Sequence, residues 1–357
     1  MDFQKIGLLK HDANRSFAGY TMFGTLFGSS VQLVDNQGHE VHRWDLPGTF
    51  GGHAYIMPGG RLLCSVQVPT EIPLNVARGG RFLELSWDNE ILWEYTDEAQ
   101  HHDFRRLPDG NTVYIGWRAM TDELASGVLG GMPGSEAKGK IYEDYFRIIT
   151  PEGETVWEWS TSKLNLEQYP ISQGLHRGGF CHANTVCPLA NGNFLINFRN
   201  LDMIAVLSPE KNGLIWEKRN HSWGRPHDPQ PIDGGDRILF FANGACEMPA
   251  PQRSAVVELD ASTGEEVWRW EADIPWTFYS HVCGGVQRLP NGNTLVCEAT
   301  TGRIFEIHKE SMEIVWDFIN PDFSCWLKTP TRKPSNITYR AYRYSPDSPE
   351  LSGMINV

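Results

Sequence analysis

Apolar and polar residues alternate with a period of two in six stretches that share one layout: an alternating run, a turn, and a second run ending on an aromatic residue beside a charge. The copies are VQLVDNQGHEVHRW from Val31, RFLELSWDNEILWEY from Arg81, DYFRIITPEGETVWEW from Asp144, MIAVLSPEKNGLIWEK from Met203, AVVELDASTGEEVWRW from Ala255 and RIFEIHKESMEIVWDF from Arg303. Short alternating runs bounded by Gly, Asn, Asp and Pro predict antiparallel strand pairs with one buried face. Trp93, Trp157, Trp216, Trp268 and Trp316 hold one column, with His42 in that place in the first copy; the successive spacings are 51, 64, 59, 52 and 48 residues. A repeat of that length indicates a propeller or a solenoid. The period of two excludes a helical solenoid.

A second hairpin precedes five of these copies and carries a histidine before its turn. It reads GGHAYIMPGGRLL from Gly51, HHDFRRLPDGNTV from His101, FCHANTVCPLANGNFLINFRN from Phe180, RPHDPQPIDGGDRIL from Arg225 and YSHVCGGVQRLPNGNTL from Tyr279. Two hairpins per period make a four-stranded antiparallel blade, and the fold expected is an all-β, six-bladed β-propeller forming a single domain over 1–357. Blades are expected at 53–95, 102–159, 182–218, 227–270 and 281–318. The sixth has only its outer pair, 31–44, so its inner pair must come from 19–27 and 336–344, closing the ring with both chain ends. The longer connections, 66–80, 119–141, 160–181, 219–226, 244–252 and 271–280, all follow the second or fourth strand of a blade and therefore crowd one face of the disc. Loops gathered at one rim of a rigid scaffold commonly build a binding site. The Gly-rich part of 119–141 reads as a mobile lid, the Trp column as outer-blade packing, and 320–335 belongs to no blade.

Composition narrows the partners. A formal charge of −13 over 357 residues argues against a nucleic-acid or anionic-membrane surface but leaves room for a local Arg/His cluster. Seven cysteines without paired motifs fit reduced thiols. The start, MDFQKIGLLKHDANRS, has no apolar run of signal-peptide length and no stretch approaches a membrane span, so the expected location is cytoplasmic.

His53, His102, His182, His227 and His281 are read as one position, the start of the innermost strand, repeated in five blades. A single such imidazole could be packing. Several converging on an axis would repel when protonated, so some must be neutral, paired with an anion or bound to metal. Arg118 and Arg199 close their second strands at matching places, YIGWR and INFR, and offer a fork to an oxyanion. Asn184, two residues after His182, is expected to share its direction and orient a substrate oxygen. Asp103 and Asp228 should face away and be structural. Cys283 has no Cys-x-x-Cys partner and signals little.

The segments HHDFRRLPDGNT, HANTVCPLANGNFLINFRN, PHDPQ, GGVQRLPNGNT and YRAYRY resemble the arylsulfate sulfotransferase family, in a short form without the additional N-terminal domain of exported members. The resemblance implies a propeller that moves a sulfuryl group from an aryl sulfate to a phenol without a nucleotide donor. By it, His227 is the nucleophile, and His102, His182, Asn184 and Arg199 hold sulfate oxygens and assist the leaving group; His53, His281 and Arg118 are expected as substrate-binding residues from their repeat positions alone, Arg118 equally well as an exposed rim charge. No cofactor is then required, and the partner is a small anionic or aromatic molecule. The residues alone leave two alternatives: a metal-dependent lyase, hydrolase or oxygenase with a transition metal on His102, His182, His227 and His281, or a binding propeller without chemistry.

Overall fold

The computed structural model describes residues 5–75, 77–244, 252–325 and 333–355. Six antiparallel sheets form a β-propeller whose innermost strands are Phe50–Met57, Gln100–Arg106, Ala183–Pro188, His227–Ile232, Gly285–Arg288 and Thr338–Tyr344. Each innermost strand touches the next, and the last touches the first, which closes the ring. We number the blades one to six in that order.

Blade six is assembled from both ends of the chain: Thr338–Tyr344 lies innermost, then Tyr20–Thr25, Ser30–Val34 and Glu40–Asp45. Blade five gains an outer strand, Gly7–His11, paired antiparallel with Ile314–Ile319. The sequence pattern gives no sign of this strand, because it pairs along one edge and its residues are mostly exposed. The tight turns are short and polar, and the long connections gather on one face, where Gly130–Met132 and Ile171–His176 form a small parallel pair. Arg177 fixes that pair's neighbourhood, donating to the Gly130 and Val128 carbonyls at 2.6 and 2.9 Å and to Glu136 at 2.9 Å. The Gly-rich segment read as a lid is thus held down by one guanidinium. The 244–252 and 320–335 stretches lie partly outside the described residues. Among the described residues no helix is long and apolar enough to cross a membrane.

Blade faces meet through apolar clusters, among them one joining blades two and three through Ile115, Phe146, Trp159, Val186, Ile196 and Phe198. Three of the column tryptophans also serve as platforms for an arginine on the next innermost strand. Arg106, Arg288 and Arg343 lie 4.2, 5.7 and 4.3 Å from the rings of Trp93, Trp268 and Trp316. Each arginine also meets a carboxylate of the preceding blade, Glu84, Glu258 or Glu306. The π face and the carboxylate offset part of the desolvation that lowers Arg288 and Arg343.

The floor of the axis is ionic. Arg340, fully buried on the innermost strand of blade six, lies 2.9 Å from Asp103 Oδ2 and 3.3 Å from Asp228 Oδ1, and donates to the Asn184 carbonyl and Thr185 Oγ1 at 2.7 and 2.8 Å. Asp103 and Asp228 also accept from the backbone N–H groups of Val186 and Val286. One side chain near the C-terminus therefore ties together blades two, three and four.

Candidate functional site

The innermost strands do not begin identically. Counted back from the apolar residue that opens each turn (Met57, Leu107, Leu189, Ile232 and Leu289), His102 and His227 stand at the same place, His53 one residue nearer the turn, His182 two and His281 three residues farther away. The five histidines therefore do not share one position. Bulges make the difference: His102, His182 and Asp228 have φ of 56, 53 and 53°, and the ladders slip beside them. Left-handed backbone at a non-glycine costs roughly 1 kcal/mol or more. Here it turns side chains that strict alternation would send to opposite faces.

His102, His182, His227 and Arg199 are gathered on the loop-bearing side. The rings of His102 and His182 are 4.9 Å apart at a steep angle, and Trp117 lies 6.1 and 6.4 Å from them. Burial pushes His102 and His182 well below the ordinary imidazole range; the neighbouring imidazoles add to this for both, and Arg199 for His182. They are neutral at pH 7 without a ligand.

His227 has a fixed proton. Its Nδ1 lies 2.6 Å from Asn243 Oδ1 and 2.9 Å from the Arg225 carbonyl, both acceptors. Asn243 cannot be turned around, because its amide nitrogen donates to the carbonyls of Ser280 and Cys283 at 2.7 and 2.8 Å. Nδ1 therefore carries the hydrogen and Nε2 keeps its lone pair. Burial, reinforced by Arg199, lowers His227 to about 3 despite those two hydrogen bonds.

Arg199 is the first residue after the strand Phe194–Phe198, where the backbone turns into a single 3-10 turn. It donates to Asn200 Oδ1 at 2.9 Å, and burial together with nearby Arg225 lowers it to about 10, still cationic at neutral pH. Arg225 is positioned by Asp202, whose Oδ1 accepts its backbone N–H at 2.7 Å, and its guanidinium donates to the Gly244 carbonyl at 3.4 Å. Among the described residues neither guanidinium has a carboxylate within ion-pair distance. Among the described residues two guanidiniums without a carboxylate partner thus lie beside neutral imidazoles, an arrangement whose chemistry suits an anion.

The remaining candidates lie elsewhere. His53 is sealed beneath the cluster, 3.1 Å from Asp103 Oδ1, in contact with Arg105 and edge-on to Phe104; burial and Arg105 keep it neutral as part of the ionic floor. Asn184 does not face outward. The ladder slips between Ala183 and Thr185, and its amide donates to the Pro226 carbonyl at 3.1 Å, holding blade three to the segment before His227. Arg118 is still inside the strand Thr112–Ala119, opposite Glu143, and is 45% exposed with its guanidinium 2.6 Å from Glu158. His281 is exposed at the rim, its pKa lowered by partial burial and by Arg225 and Arg199. Cys283 is buried and its thiol pushed up to about 12, so it is no nucleophile.

The metal alternative asks for several ligands around one point. Among the described residues no three His, Cys, Asp or Glu side chains are placed to share an ion. His227 spends Nδ1 on Asn243, and the nearby guanidinium of Arg199 would oppose a cation.

Four residues of this neighbourhood carry no mark in the repeat. Arg225 and Asn243 flank the strand pair of blade four, and Tyr339 enters from the C-terminal strand, its ring 6.1 Å from His102. His101 stands directly before His102, without a counterpart in the other blades. Leu74 and Ala77 lie against the centre: the Ala77 carbonyl accepts the His102 N–H at 2.7 Å, and Leu74 meets Gly178 and Gly179, the latter beside His182.

Comparison with known proteins adds the family. A Bacteroides caccae protein of unknown function has a similar structure at TM-score 0.55 and 14% identity, covering 91% of this chain and 98% of that one. A catalytically inactive variant of virginiamycin B lyase from Staphylococcus aureus, with quinupristin, aligns at TM-score 0.49 and 11% identity over 88% of each chain. No curated protein matches the chain at a significant level. The arylsulfotransferase (ASST) family model matches residues 78–321, which span blades two to five and the whole imidazole cluster. The chain belongs to the arylsulfotransferase (ASST) family.

Proposed function

We propose that the protein transfers a sulfuryl group from an aryl sulfate to a phenolic acceptor in two steps, through sulfated His227. In the first, His102, protonated as the anionic donor binds, gives its Nε2 proton to the leaving phenolate while Nε2 of His227 attacks sulfur and the S–O bond to the aryl group breaks. In the second, the acceptor phenol returns a proton to His102 as its oxygen attacks sulfur and the N–S bond breaks. Arg199, with Arg225 beside it, neutralises the nonbridging oxygens, and His182 completes the polar wall.

The observation that carries this reading is the locked tautomer of His227: a neutral imidazole whose Nδ1 hydrogen is held by Asn243 and the Arg225 carbonyl, leaving Nε2 as the free base next to a cation. Sulfuryl transfer asks chiefly for in-line placement and positive charge on the peripheral oxygens. No nucleotide or metal is needed for either step. Incubation with 4-nitrophenyl sulfate and a phenol tests it. Turnover that stops in His227→Ala supports the reading; the same rate in that variant, or none with any aryl sulfate in the wild type, refutes it.

A further inference from the structure

Beneath His102 lies a second imidazole that the steps above leave without a task. His101 is fully buried and stacked on Trp117, centroids 3.9 Å apart and planes within 11°. Its Nδ1 is 2.6 Å from Nδ1 of His102, and its Nε2 is 3.2 Å from Oδ1 of Asp144, a carboxylate without solvent exposure. Nε2 of His101 and both Asp144 oxygens have no hydrogen-bond partner of good geometry among the described residues, so their 3.2 Å approach is a charge contact waiting for a proton. A buried carboxylate facing a single imidazole is costly unless that imidazole holds a proton for it.

Two nitrogens 2.6 Å apart share one hydrogen, so the tautomers of the two rings are coupled. In the sulfated enzyme, with Nε2–H of His101 toward Asp144, Nδ1 of His101 is an acceptor, Nδ1 of His102 must carry the hydrogen, and Nε2 of His102 is free for the acceptor phenol. We propose that Asp144 and His101 are positioning residues that form a proton relay behind His102. When the acceptor phenol gives its proton to Nε2 of His102, His102 passes its Nδ1 hydrogen to Nδ1 of His101, and the positive charge comes to rest between His101 and Asp144. When a leaving phenolate takes the Nε2 proton, His101 returns its Nδ1 hydrogen to His102. Over one cycle the protons balance and no charge stays beside Arg199.

The groups that face the relay are consistent with this division. Asp144, Asp97 and the Gly116 carbonyl favour a proton on His101, opposing burial, whereas His101, His182, His227 and Arg340 all disfavour one on His102. The relay rests on the sulfuryl-transfer reading for its purpose but not for its wiring, so the two can be tested apart. Proton and nitrogen NMR of the wild-type protein labelled with 15N-histidine reads the wiring: a strongly downfield proton coupled to both Nδ1 atoms is expected. A His102 protonated at Nε2 with no shared proton overturns the relay even if the enzyme is active. In turnover, Asp144→Asn and His101→Gln should slow phenyl sulfate about tenfold more than 4-nitrophenyl sulfate, because the poorer leaving group depends more on the acid, with KM little changed. Equal losses on both substrates would overturn it. If no aryl sulfate is turned over, the functional reading fails and the shared proton alone decides the wiring.

Discussion

Asn243 Oδ1 sits 2.6 Å from Nδ1 of His227 and fixes which nitrogen of that ring is free. The amide is itself fixed by two carbonyls of the next blade, so the tautomer depends on how blades four and five meet. Asn243→Ala is expected to lower kcat about a hundredfold with little change in KM, since loss of a correctly protonated base costs that order. A thermal melt separates this from misfolding. An unchanged kcat in a folded variant would show that the tautomer does not need this anchor.

Arg340 should matter for stability more than any surface charge. Its removal strands two fully buried carboxylates, Asp103 and Asp228. Arg340→Met is expected to cost about 3–5 kcal/mol in urea unfolding, the usual penalty for breaking a buried pair from one side. Changing Asp103 to Asn in the same chain should recover part of that loss.

Arg199 and Arg118 look alike in sequence and should behave oppositely. Arg199→Ala removes the guanidinium nearest His227 and is expected to lower kcat/KM by about 100- to 1,000-fold. Arg118 makes an exposed ion pair with Glu158. Its replacement by Ala should leave kcat/KM unchanged and alter stability by less than about 1 kcal/mol. Equal effects on kcat/KM would place Arg118 in the site after all.

Acid should unfold the protein early. His53, His102 and His182 are held well below the ordinary range and His227 at about 3, chiefly by burial. In the unfolded chain they titrate near pH 6.5, roughly, so below that the unfolded state binds more protons and stability falls until the folded values are reached. Each contributes about 1.4 kcal/mol per pH unit in that window. Glu298, raised to about 7 by burial, works in the other direction between its unfolded and folded values. The four imidazoles outweigh it, and the melting temperature is expected to drop on acidification from about pH 7 to 5. A flat profile would mean that these rings are not held neutral.

The ring was legible because its strands alternate cleanly and their turns are spelled in Pro, Asn, Asp and Gly. Blade six could be assembled by elimination, since only two strand-like pieces remained. The site was legible as a set of residues but not as a geometry. Positive φ at His182 leaves no mark in residue type, so Asn184, which alternation aims at the site, falls between blades; His53 follows Gly52, with φ of 106°, in a ladder that slips between Phe50 and Ala54, and falls into the floor. Arg118 matches Arg199 in its motif, yet its strand runs on to Ala119 and keeps it in the ladder. Arg225 and Asn243 act through the position of their backbones, which no spacing rule reports. His101 adjoins His102 in the chain, and only the distances to Asp144 and His102 give it a part.

Rapid mixing of the protein with excess 4-nitrophenyl sulfate and no acceptor tests the covalent route most directly. One equivalent of 4-nitrophenol per protein chain should be released in a burst, the sulfuryl group should be recovered on His227, and His227→Ala should abolish both. Release that waits for the phenol, or a burst that survives the loss of His227, would contradict transfer through this histidine.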